Sequence, residues 1–204
     1  MNRAEHWDHV YRTKAADRVS WFQPDPRLSR ELIEAVAPDR GARIVDVGGG
    51  ASRLADGLLD AGYQNITVLD ISEMALGAAQ AQLGDRAPLV RWIAGDVLSW
   101  DAEPGSCDVW HDRAVFHFLN AAEDRARYLA VARRALRKGG HAIIATFAAD
   151  GPTKCSGLDV SRYSPLQLAA ELSEGFVFLR SEREIHSTPV GAQQAFTYAV
   201  VRHA

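Results

Sequence analysis

Cysteine is scarce in this chain: Cys107 and Cys155 are the only two among 204 residues. They form neither a CxxC pair nor a disulfide framework, so a stapled extracellular scaffold is not expected. No window approaches the roughly 18 uninterrupted apolar residues of a membrane span. The opening segment "MNRAEHWDHVYRTK" is polar and lacks the apolar core of a secretory signal. Neither sign of charge dominates, with 23 Lys and Arg against 26 Asp and Glu, net −3. A global electrostatic footprint for nucleic acid is therefore missing. These absences lead to the expectation of a soluble, cytoplasmic protein without a membrane or nucleic-acid partner. They leave the oligomeric state open.

Aliphatic residues are plentiful, in short runs. "RIVDVG" (43–48), "NITVLDI" (65–71), "LVRWIAGD" (89–96), "CDVWHD" (107–112) and "HAIIATF" (141–147) each suit a parallel strand covered on both faces. Helical patterns lie between them, several with start signals: Asp25-Pro26, Ser52, Ser72, Asn120 with Glu123, and Ser164-Pro165. The helix after Asn120 is expected to run to Gly139-Gly140. "GFVFLRSEREIHS" and "AFTYAVVRH" are separated only by "TPVGAQQ", so the last strand must return antiparallel. The expected fold is α/β: a Rossmann-like, doubly wound, mostly parallel seven-stranded sheet ending in an antiparallel hairpin. Residues 1–204 are expected to form one domain, with 1–40 as a helical lid on a 41–204 core.

"VDVGGGAS" (45–52) places Gly48, Gly49 and Gly50 where the first strand meets its helix. Glycine there permits positive φ and lets backbone touch a ligand. A dinucleotide fingerprint, G-x-G-x-x-G, fails: counted from Gly48 its third position is Arg53, and counted from Gly49 its second is Ala51. No Gly-Lys-Ser/Thr follows, so a phosphate-binding P-loop fails as well. The pattern present is Asp-x-Gly-x-Gly, Asp46 to Gly50, with the acid before the glycines. A carboxylate there orders the loop or receives a cationic amino group; a pyrophosphate would be repelled. Asp70 ends the second strand, where an acid accepts ribose hydroxyls. Asp96 ends the third, within reach of an adenine amino group. Each acid alone is an ordinary loop residue or cap; three at successive strand ends, with the glycines, point to one ligand.

With these motifs, and with "CDVWHDRAVFHFL" and the terminal hairpin, the sequence resembles the class I S-adenosylmethionine-dependent methyltransferases over nearly its whole length. The resemblance implies strand order 3-2-1-4-5-7-6, S-adenosylmethionine as cofactor and S-adenosylhomocysteine as product. It puts the methionine part at Asp46, Gly48, Gly49 and Gly50, the ribose at Asp70 with Ile71, and the adenine at Asp96 with Val97. Ser52 stands where many members have a third glycine. The "HWDHVYRTK…VSWFQ" and "WHDRAVF" segments are similar to a subgroup of small bacterial and protein-lysine methyltransferases.

In such a fold the protein positions the acceptor, and a base is needed only for an acceptor that arrives protonated. His111 and Asp112 end the fourth strand, where they either line and orient the pocket or serve as packed and capping residues. Cys155 lies in the long connection after the fifth strand, and is either a contact for a soft acceptor or an inert buried thiol. His186, with Gln193, could share that rim, or sit at an ordinary hairpin tip. Trp7, Tyr11, Trp21 and Phe22 are expected to form an aromatic lid over the sulfonium, or merely to anchor the N-terminal helix. His6 and His9 lack a third ligand, so no metal is expected. The basic residues from Arg125 to Lys138 read as a solvated helix face. The expected acceptor is a small molecule, with a protein lysine as the alternative. Outside the class stand a nicotinamide-dependent oxidoreductase and a non-catalytic scaffold.

Overall fold

The computed structural model describes residues 2–204. Five strands pair in parallel: β1 (Arg43–Val47), β2 (Asn65–Asp70), β3 (Val90–Ala94), β4 (Cys107–Arg113) and β5 (Leu136–Phe147). A two-stranded ribbon, β6 (Lys154–Cys155) and β7 (Leu158–Asp159), follows them. The hairpin of β8 (Phe176–Ser187) and β9 (Gln193–His203) completes the main sheet, with β9 antiparallel to both β5 and β8. The order is β3-β2-β1-β4-β5-β9-β8, as expected once the extra ribbon is counted.

Each strand is apolar on both faces because two layers cover the sheet. Ile44, Val68, Val109, Ile143 and Val200 pack with Leu32 and Ile33 of α2 (Arg27–Val36; α1 is Arg3–Thr13) and with Leu58 of α3 (Leu54–Asp60). Their chain neighbours Val45, Leu69, Trp110, Ile144 and Val201 face the other way. There they meet Tyr128 and Leu129 of α5 (Ala122–Ala135; α4 is Glu73–Leu83) and Leu168 of α6 (Pro165–Glu171). The alternation along each strand is the period-two rule of β structure. The chain leaves β1 toward β2 on one side and returns to β4 on the other. That reversal opens a crevice at the strands' carboxyl ends.

The helix starts are partly as expected. Ser72 accepts from the Ala75 amide, and Ser164 forms a reciprocal capping box with Gln167. Asp25 is not a cap: Pro26 occupies the N-cap position of α2 and no side chain caps that end. Asn120 is not one either, since Ala121 precedes α5; the Asn120 amide instead donates to the Asp159 carbonyl and accepts from Ser161. Ser52 stands one residue before the α3 N-cap, Arg53, and accepts from the Leu54 amide at 3.0 Å. α5 ends at Ala135, not at the glycines, because Leu136 already pairs with Cys107 and begins β5. Pairing with β4 outcompetes the arginine-rich helical continuation.

Candidate active site

The crevice holds a pocket of about 830 Å3, its mouth included. Its floor is the ends of β1, β2 and β3, with Gly48, Asp70, Ile71, Asp96 and Val97. Its roof comes from the segment before β1: Arg3, Trp7 and Tyr11 of α1, then Trp21.

The loop after β1 is shaped by contacts that a Cβ would destroy. Gly48 has φ +65, and a Cβ there would lie 2.0 Å from a Val115 methyl. Gly49 would meet Asp46 Oδ2 at 2.4 Å, and Gly50 (φ +38) would meet Asp70 Oδ2 at 2.8 Å. Only glycine satisfies both backbone and space at Gly48 and Gly50.

Asp70 is buried, accepts from the Ser72 amide at 2.8 Å, and has a backbone hydrogen bond with Gly50. Among the described residues no cation pairs with it. Burial, reinforced by the charges of Asp46 and Asp8, pushes its carboxyl up to about 7. Asp96 accepts from the Leu98 amide through Oδ1, while Oδ2 lies 3.8 Å from Arg3. Arg3 also pairs with Asp124, and Asp8 accepts from the Ser72 hydroxyl at 2.7 Å. Helix α1 is thus tied to both sides of the crevice. Trp7 and Trp21 meet edge to face, and the Trp21 indole lies 3.3 Å from the Tyr11 hydroxyl.

A second, smaller recess shares Gly48, Trp21 and Arg113 with the first. Asp46 and His111 line it, and they face each other rather than the main pocket. His111 Nδ1 lies 2.7 Å from Asp46 Oδ1, and Nε2 lies 2.9 Å from Ser29 Oγ. All three side chains are buried.

The remaining expected residues divide. Cys155 does line the main pocket, beside Arg113 and Phe118, and burial pushes its thiol up to about 11. It is a neutral thiol at neutral pH, not an activated nucleophile. Cys107 lies in the opposite core layer, so the two sulfurs cannot share a ligand. Asp112 does not orient an acceptor. Strand alternation turns it away from His111 into the α5 layer, where it accepts from the Val115 and Phe116 amides and the Tyr128 hydroxyl. Burial leaves it raised to about 6. His186 does not reach the pocket either: its Nε2 lies 2.8 Å from the Ser20 carbonyl, beneath the roof segment. Gln193 is exposed and bonds Ser187. His6 and His9 join no potential metal cluster, and none exists among the described residues.

Sequence reasoning passed over Arg113 as a site residue. Its guanidinium donates to the Trp21 carbonyl, to the Tyr198 hydroxyl and to Glu184, and lies 4.2 Å from the Phe196 ring centre. Glu184 also accepts from Gln23 at 2.9 Å. This knot holds residues 21–23 against the hairpin. Its only sequence signal was a place at the end of the fourth strand, directly after His111 and Asp112.

A family model described as "Methyltransferase domain" matches residues 44–140, the span from β1 into β5 that carries the glycine loop and all three strand-end acids. That span matches a methyltransferase domain, and the sheet is that of the Rossmann-like methyltransferase fold. Among curated proteins the chain is similar to the eEF1A lysine and N-terminal methyltransferase of Danio rerio, 27% identical over 151 residues. That match covers 72% of this chain and 22% of the relative, so the chain spans about a fifth of that relative's length. Among solved structures, one from work on conversion of a disulfide bond into a thioacetal group during echinomycin biosynthesis superposes with TM-score 0.80. It is 20% identical, covering 99% of this chain and 92% of the other. Another is the Burkholderia thailandensis 1,6-didemethyltoxoflavin-N1-methyltransferase with bound 1,6-didemethyltoxoflavin and S-adenosylhomocysteine, TM-score 0.72 and 23% identical. It covers 98% of this chain and 84% of its own. The chain thus shares its fold with a solved methyltransferase that holds S-adenosylhomocysteine. Among its described residues no helix is long and apolar enough to cross a membrane.

Proposed function

We propose that this chain transfers the methyl group of S-adenosylmethionine to a small-molecule acceptor, as a cytoplasmic enzyme whose residues 1–40 close over the core. The observation that carries this reading is Asp70: a buried carboxyl facing an aromatic-roofed pocket with backbone donors only. A carboxyl kept dry without a cation is costly, and a ligand presenting two hydroxyls would satisfy its remaining lone pairs. A ribose diol is such a ligand. Asp96 Oδ2 would take the adenine amino group beside Ile71 and Val97. Gly48 to Gly50 would bring backbone against the methionine portion, with the Asp46–His111 pair fixing the loop from behind.

The cofactor supplies an electrophilic methyl and a neutral thioether leaving group. The chain's task is to exclude water and aim the acceptor. Trp7, Trp21 and Phe118 offer aromatic surface to a sulfonium and to an apolar acceptor. Arg113 and the Cys155 thiol mark the polar end of that chamber. The resulting closed roof favours an acceptor that fits inside the pocket. A protein lysine is the second reading, favoured by the similarity to the zebrafish lysine and N-terminal methyltransferase; it requires α1 and residues 19–23 to swing away.

Calorimetric titration with S-adenosylhomocysteine, with NAD as control, tests the cofactor. Binding of the former alone, lost in Asp70→Ala, is the expected result; binding of NAD alone, or of neither, defeats the proposal. The acceptor class follows from methyl-tritiated S-adenosylmethionine incubated with a lysate split by size. Label in the small-molecule fraction is expected, and label confined to protein would overturn the leading reading.

A further inference from the structure

The outer edge of β8 is unpaired among the described residues. This strand is 12 residues long, pairs there with β9, and closes the sheet order at one end. Val177, Phe178, Leu179 and Ile185 are 41–53% exposed along it. Natural edges of this length are blunted by charged side chains, bulges, proline or a covering element. Here there is one bulge, at Leu179, and the charged run Arg180-Ser181-Glu182-Arg183-Glu184.

We propose that β8 pairs antiparallel with β8 of a second copy of this chain, about a two-fold axis through Ser181, giving a continuous fourteen-stranded sheet (roughly twice seven). An axis normal to the sheet must pass between the same residue of the two copies, because opposed residues share a face. Across Arg180–Glu184 every other choice sets a charged residue against itself. Ser181 is the only uncharged member of that run. An axis through it also sets Arg180 of each copy opposite Glu182 of the other and, with the bulge at Leu179 counted, Ile185 opposite Phe176. Arg180 and Glu182 are free to do so: their one mutual contact within the chain is 4.0 Å long and both are half-exposed. Glu184, by contrast, is committed inward to Arg113 and Gln23. Strand identity and charge therefore agree on a single register. The pairing would also brace the strand whose Glu184 and His186 hold the roof segment.

The test uses the full chain in sedimentation velocity across 1–100 µM (roughly the range in which weak to moderate dimers dissociate). The wild type is expected to dimerise. Arg180→Glu and Glu182→Arg each create like-charge pairs across the axis, and should weaken the dimer at least about tenfold. Mixing the two variants restores opposite charges at both contacts, so a heterodimer should form from two weakened partners. Ile185→Lys should give a monomer that no mixing rescues. Circular dichroism melts confirm that these exposed substitutions leave the fold intact. A wild type that stays monomeric at the highest concentration overturns the proposal. So does a dimer indifferent to all three substitutions, or the absence of recovery on mixing. None of these readouts depends on cofactor binding, so this inference and the proposed activity fail separately.

Discussion

A Cβ on Gly50 would fall 2.8 Å from Asp70 Oδ2 and 3.2 Å from the Tyr11 hydroxyl. The glycine loop and the second strand-end acid are therefore one device. The missing side chain of Gly50 is the space through which Asp70 reaches the pocket. Gly50→Ala, at φ +38, also strains the backbone. The expected result is destabilisation of about 1–3 kcal/mol. S-adenosylhomocysteine affinity should fall at least about tenfold, equivalent to about 1.4 kcal/mol. Calorimetry and denaturant unfolding of the variant check the two effects, and unchanged affinity would show that the loop and Asp70 act independently.

Asp70 itself should trade stability for binding. Its folded carboxyl is raised to about 7 from 3.8. The folded state therefore holds a proton that the unfolded state has released between those values. The Asp70 contribution to stability of the ligand-free protein must fall as pH rises from about 4 to about 7, and its loss is complete above that window. Asp70→Asn can still accept from the Ser72 amide and carries no charge to bury. The variant should be more stable than the wild type at pH 8, nearly equal to it at pH 3.5, and unable to bind the adenosyl ligand. Urea unfolding at both pH values decides. Asp112, raised to about 6, adds a pH dependence of the same sign that this substitution leaves in place.

Much of this was legible before any coordinates. Parallel strands covered on both faces leave continuous apolar runs, and a short connection forces a hairpin, so the strands and their antiparallel ending followed from the residues; the sheet order came with the family resemblance. Acids at the ends of β2 and β3 needed only the fold's reversal point to converge. What escaped were choices made by distant partners. Asp46 seemed available to a ligand, yet a residue 65 positions away takes its Oδ1. Asp112 was grouped with His111 by adjacency, although strand alternation sends neighbours to opposite faces; here the signal existed in the period and was overlooked. Arg113, Glu184 and Gln23 meet only because the terminal hairpin lies beside the N-terminal segment, and local pattern carries no trace of that.

The Asp46–His111–Ser29 arrangement should behave as a structural unit. Replacing His111 by Ala leaves the Asp46 carboxylate buried without its partner, and breaking a buried pair costs about 3–5 kcal/mol. Asp46→Asn keeps an acceptor for the imidazole N–H and should cost less. The double variant Asp46→Asn/His111→Ala should be less destabilised than the sum of the singles, with a coupling of about 1–3 kcal/mol. Unfolding free energies of the four proteins give that coupling directly. Additive effects would mean that the 2.7 Å contact contributes nothing of its own.

Arg113 offers the sharpest probe of the roof. Its guanidinium is nearly buried and bridges the Trp21 carbonyl to Glu184 of the hairpin. Arg113→Met preserves length and apolar packing over Phe196 but deletes every donor. Glu184 is then left 16% exposed with only Gln23 and Tyr198 as partners, so Arg113→Met/Glu184→Gln should recover part of the lost stability. Neither variant can hold the Trp21 carbonyl. Amide exchange across residues 19–23 should therefore quicken in both, at least about tenfold, corresponding to roughly 1.4 kcal/mol of lost protection. Exchange in the β1–β4 core should quicken less in the double variant than in Arg113→Met. If protection of residues 19–23 survives, His186 and its contact with the Ser20 carbonyl carry the roof, and His186→Ala becomes the substitution that frees it.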